Sequence, residues 1–200
     1  MRKALVVAIV LSLLVPVFAG ADGPAPGEHR VYLPTALRRH DPYAEKRKPQ
    51  PHDAPAAVAV LQALDGYVLD PRLSGDALSD QLRGMGAQDA YKVFFWAVEP
   101  DAPTMTVYNI VVVFWDEGGA VAYLDYLDAK CVALGGAPVT VPPMADGANG
   151  CRRTGGMDDI CTVNFRLGNV IGGTGVDGAF GVALEYSALS LARVELALEE

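Results

Sequence analysis

Residues 91–115 read YKVFFWAVEPDAPTMTVYNIVVVFW, two runs dense in β-branched and aromatic side chains, interrupted by EPDAP. Such side chains suit the pleated surface of a strand, and a short proline-containing gap suits a turn. The pair therefore predicts antiparallel strands over Tyr91–Val98 and Thr104–Trp115. In the second run both faces are apolar: Val107, Val111, Val113 and Trp115 alternate with Tyr108, Ile110, Val112 and Phe114. A strand of that kind is covered on both sides. Either it lies inside a sheet with layers above and below, or one face meets another subunit. The second case makes Tyr108, Ile110 and Phe114 a candidate interface and a homodimer one way of covering it.

Working outward, Asp116-Glu117-Gly118-Gly119 opens a helix, where acids meet the positive end of the helix dipole. Ala120, Leu124, Leu127, Cys131 and Leu134 form one apolar stripe along it, and Gly135-Gly136 ends it. APVTVPP then reads as a short strand cut off by Pro142 and Pro143. CTVNFRL and VIGGTGV flank Gly168-Asn169, a hairpin signal. A closing helix runs from Phe180 to about Leu198, with Phe180, Leu184, Ala188, Leu191, Val194 and Leu198 on one side. Upstream, AAVAVLQAL predicts a helix entered near Asp53 and ended by Gly66, and Asp76–Arg83 predicts a second, capped by Ser74 or a neighbour.

This order of elements predicts a single α+β domain over residues 55–200: an antiparallel sheet of about five strands with helices packed mainly on one face. WDEGGAVAYLDYL at 115–127 and VDGAFGVALEYSAL at 176–189 share an acidic-glycine turn from strand to helix. The domain thus also reads as two strand–strand–helix units.

Ahead of it, Met-Arg-Lys, an apolar run over Ala4–Phe18 and the small residues Ala19, Gly20 and Ala21 predict a secretory signal peptide over residues 1–21. The competing reading is an uncleaved anchor. Residues 22–54 form a proline-rich linker, since proline resists helix and sheet alike. Only VYLPTAL at 31–37 is apolar within it. From Glu28 to Lys48 six basic residues stand against three acidic ones, whereas from Pro55 onward eight basic residues stand against nineteen acidic ones. An acidic domain repels nucleic acid, whose binding depends on clustered Lys and Arg.

All three histidines, His29, His40 and His52, fall in the linker. The domain therefore lacks the histidine that a Ser–His–Asp or Cys–His system or a histidine-based zinc site requires. Carboxylates are plentiful, so an Asp/Glu pair for glycoside hydrolysis stays open. Asp116–Glu117, Asp125–Asp128 and Asp158–Asp159 nevertheless read as helix-entry or solvated charges. GANGCRRTGGMDDIC, residues 147–161, holds two of the three cysteines. It reads as a loop closed by a Cys151–Cys161 disulfide, with Cys131 buried on its helix stripe; a bridge from Cys131 to either loop cysteine, or no bridge, are the alternatives. The segment lacks GxxxxGK[ST] and CxxC. Arg152 and Arg153 suit an anion, and Asp146, Asn149, Asp158 and Asp159 suit a cation such as calcium, though in an order unlike an EF-hand.

No cofactor is called for by these residues. The reading they support is a secreted or cell-surface, non-catalytic binding domain on a tether, acting on an extracytoplasmic protein or ligand. The alternative is an extracytoplasmic carboxylate-dependent hydrolase.

Overall fold

The computed structural model describes residues 53–154 and 159–200. The expected signal peptide and all but the end of the linker therefore lie outside the described residues. The two runs of 91–115 pair as antiparallel strands β3 (Ala87–Ala97) and β4 (Thr106–Phe114), with Phe94 opposite Tyr108 and Val93 opposite Asn109. β4 is buried along its whole length. Its neighbours are β3 on one side and β8 (Val170–Asp177) on the other.

The sheet has eight antiparallel strands among the described residues, where the sequence pattern predicts about five. Its order is β1 (Tyr67–Leu69), β3, β4, β8, β7 (Ile160–Leu167), β6 (Gly147–Arg153), β5 (Ala137–Val139), and β2 (Gly75–Asp76) also pairs with β3. The three additional strands are β1, β2 and β6. β1 and β2 span three and two residues, too few for an alternation to register. β6 is the glycine-rich segment that reads as a loop. Pairing with β7, from Gly147 opposite Arg166 to Arg153 opposite Ile160, holds it extended. At Gly150 a side chain would meet Val141 and the Phe180 ring at about 3 Å, so the glycine serves packing and not looping.

Helices cover both faces of the sheet, which corrects the expectation of helices packed mainly on one face. The odd-numbered β4 residues Val107, Val111 and Val113 pack with α1 (Ala56–Ala59), the extended chain after it, and α4 (Phe180–Glu199). The even-numbered Tyr108, Ile110, Val112 and Phe114 pack with α2 (Asp80–Gly84) and α3 (Glu117–Ala133). The two strand–strand–helix units, β3-β4-α3 and β7-β8-α4, thus send their helices to opposite faces. A two-fold axis through the β4/β8 junction would keep them on the same face.

The interface proposed at Tyr108, Ile110 and Phe114 is likewise corrected: the three are 6%, 6% and 0% exposed, covered by the chain's own α2 and α3. α3 starts where expected, with the Asp116 carboxylate accepting from Gly119 N at 2.8 Å. The helix predicted from Asp53 to Gly66 shrinks to one turn. Val60 is already extended, and Leu61 N donates to the buried Asn109 Oδ1 at 3.0 Å, drawing the chain onto the sheet. The second predicted helix starts four residues late, at Asp80, capped by the Ser79 hydroxyl, while Gly75-Asp76 pairs with β3.

α4 buries Ala183, Ser187, Ser190, Val194 and Ala197 at the centre of its contact; Phe180, Leu184, Leu191 and Leu198 flank it and Ala188 faces outward. Small side chains let the helix lie close to the sheet. Its two serines are satisfied there, Ser187 Oγ donating to Val163 O and Ser190 Oγ accepting from Asn109 Nδ2.

Candidate functional site

Between α3 and the even face of the sheet lies a cavity of about 40 Å3. Its floor is a place where side chains are missing. In β8, Ile171, Gly173 and Gly175 point to this face, opposite Val112, Ile110 and Tyr108. The glycines leave a trough that α3 bridges. Leu127, Asp128, Lys130 and Cys131 form the roof, and Asn149, Cys151, Thr162 and Asn164 form the far wall. The third glycine of the run, Gly172, serves the other face. A side chain there would sit 2.1 Å from the Phe165 ring, which stacks directly on this backbone.

The walls are held from several directions. Asn149 Nδ2 donates to Leu124 O in α3 at 2.8 Å, and Asn164 Nδ2 donates to Asn149 Oδ1 at 2.8 Å. A disulfide between Cys131 and Cys151 ties the C-terminal end of α3 to β6. Both sulfurs lie so close to Gly136 that a Cβ there would meet them at 2.7 and 2.9 Å. The slot is therefore preformed by a covalent tie and an amide chain.

This disulfide corrects the expected Cys151–Cys161 bridge. In the β6–β7 ladder Cys151 lies opposite Thr162 and Arg152 opposite Cys161. Side chains one step apart point to opposite faces of a sheet. Cys151 therefore faces α3, where Cys131 sits, while Cys161 is buried on the odd face as a free thiol whose titration burial pushes up.

The loop candidates separate along β6. Asp146, just before the strand, accepts from Gly168 N at 2.7 Å and steadies the β7–β8 turn, with Arg166 3.8 Å away. Asn149 lines the slot. Arg152 forms an exposed ion pair with Asp159, and that carboxylate holds the guanidinium protonation above its ordinary range. Arg153 shares the face of Ile160. Asp158 lies outside the described residues. Asp146 and Arg152 are six strand positions apart, about 20 Å. Of the proposed set only Asn149 belongs to the slot, and Arg152 and Asp159 satisfy each other. Among the described residues no group of three or more His, Cys, Asp or Glu is placed to hold a metal ion.

Asp128 is the one carboxylate in the lining of the slot, so no acid pair of a hydrolase is assembled there. The most unusual acid elsewhere is Asp177, 7% exposed, at the end of β8. Its Oδ1 accepts from the Thr104 hydroxyl and from Thr106 N, while Oδ2 is buried without a partner. Burial raises its pKa above the usual carboxylate range. The Tyr67 hydroxyl, nearby, donates to Thr104 O and receives a bond from Tyr186.

The signal for the slot was present in VIGGTGV. Glycines inside a strand mark a place where something approaches the backbone closely. Gly173 and Gly175, alternating on one face of a central strand, made that signal, which a hairpin reading absorbs. No helix among the described residues is long and apolar enough to cross a membrane. Comparison with protein-family models, curated proteins and solved structures yields no match.

Proposed function

We propose that the chain is an extracytoplasmic binding domain without a catalytic role, carried on the linker of residues 22–54, and that it binds through the slot beneath α3. The observation that carries this reading is the slot itself: a glycine-floored cavity in a central part of the sheet, walled by a disulfide and an amide chain. Glycine in a central strand lowers intrinsic strand stability, so a floor of two glycines costs the fold something that a bound group would explain. A disulfide fits an oxidising compartment, in line with the export signal in the sequence.

The test uses the mature chain, residues 22–200, and a Leu127→Trp variant that fills the slot from the roof. Each is immobilised and exposed to the native envelope and extracellular fractions. A partner or ligand retained by the wild-type chain and lost from Leu127→Trp, with the circular dichroism spectrum unchanged, supports the reading. Equal retention by both chains places recognition elsewhere and overturns it.

A further inference from the structure

We infer that the slot takes the end of a small neutral molecule: an apolar body of a few heavy atoms ending in a primary amide or a hydroxyl. This rests on the binding reading above and gives it a ligand class. Size comes first. A cavity of about 40 Å3 holds roughly three waters. That admits the tip of a small molecule and excludes a sugar ring or a folded peptide.

Chemistry comes second. Ile110, Leu127, the disulfide sulfurs and the glycine floor make most of the lining apolar. Polar groups break it, the Tyr108 hydroxyl and the Asn164 carbonyl oxygen among them. Tyr108, 6% exposed, lines the slot, and its hydroxyl makes no hydrogen bond to a described residue. Asn164 commits its Nδ2 to Asn149, and its Oδ1 rests over Gly173, 2.5 Å from where a Cβ would stand, accepting from no described group.

The slot thus offers one hydroxyl that donates and accepts and one oxygen that only accepts. Its complement carries both a donor and an acceptor, which an amide or an alcohol does. Neither the Tyr108 hydroxyl oxygen nor Asn164 Oδ1 is among the buried side-chain atoms left without a partner, so water reaches both, and a ligand that takes these places must match the hydrogen bonds of the water it displaces. An anion is disfavoured, because the Asp128 carboxylate is part of the lining and like charges repel. The roof supplies no free cation, since the Lys130 ammonium lies over the Tyr126 ring at 5.4 Å.

The experiment titrates isotopically labelled mature chain with propionamide and, separately, with propionate, which has the same shape and a negative charge. Amide proton–nitrogen spectra report the response. Saturable shifts at Gly173, Gly175 and Asn164 with propionamide, at least tenfold weaker with propionate, are expected. Tyr108→Phe removes only the hydroxyl, so it keeps the fold and the melting temperature while weakening propionamide about tenfold. Equal responses to both probes, or no effect of Tyr108→Phe, overturn the ligand class. If propionamide leaves the slot unshifted while Leu127→Trp still loses the envelope partner, the ligand class falls and the binding reading stands. If propionamide is inert and Leu127→Trp keeps every partner, both fall.

Discussion

Removing the Cys131–Cys151 disulfide tests the tie that shapes the slot. The bridge joins residues separated by 20 positions. The loop-closure entropy it removes from the unfolded chain is worth about 3 kcal/mol at 25 °C for a loop of that length. Cys131→Ser/Cys151→Ser should therefore lose about 3 kcal/mol in guanidinium unfolding followed by tryptophan fluorescence. In a domain of this size that corresponds to a drop in melting temperature of roughly 6–12 °C. Because the effect lies in the unfolded chain, the denaturant slope should rise as that chain expands. The single substitution Cys161→Ser should spare the bridge. Peptide mapping of the exported protein should find one thiol, at Cys161, alkylated only after unfolding. A loss under 1 kcal/mol for the double variant, or a mapped Cys151–Cys161 bridge, refutes the reasoning, since the second result would require the β6–β7 register to be wrong.

Other outcomes rest on particular residues. Asp177 has a pKa raised by burial, so the folded state holds its proton more tightly than the unfolded chain. Its contribution is fully present below the unfolded carboxylate value and is lost as pH rises through the folded one. Asp177→Asn should flatten that fall in urea titrations between pH 4 and pH 7, and an unchanged profile would count against it. Asn109 receives Leu61 N and donates toward Gly173 O, Thr174 and Ser190. Asn109→Ala strands buried partners and should cost about 3 kcal/mol or more by chemical denaturation; a loss within 1 kcal/mol would refute the network. Gly172→Ala puts a methyl into the Phe165 ring and should abolish cooperative melting. Gly181→Ala, in α4 with nothing within 4 Å, should stabilise by about 0.5–1 kcal/mol, and equal effects of the two would contradict the packing described.

Elements whose signals are local were legible in the chain. Asp116 caps α3 because its side chain reaches Gly119 N within the same turn. Gly168 turns the β7–β8 hairpin with φ 57°, a conformation glycine adopts without strain. The double apolar alternation of Thr106–Phe114 indicated a strand covered on both faces, and it is buried throughout. The candidate site was less legible. Asn149 reads as a loop residue in the sequence and belongs to a strand. Tyr108 reads as part of an outer interface and lines an inner slot.

By itself, then, the sequence determined the α+β class, the antiparallel β3–β4 and β7–β8 pairs and the start of α3, because nearest-neighbour geometry and side-chain period decide those. Only the tertiary structure decided which face each helix takes, that GANGCRR is a strand, and which cysteines meet. Those depend on register between segments far apart in the chain: a one-residue step across the β6–β7 ladder sends Cys151 toward Cys131 and Cys161 away from both.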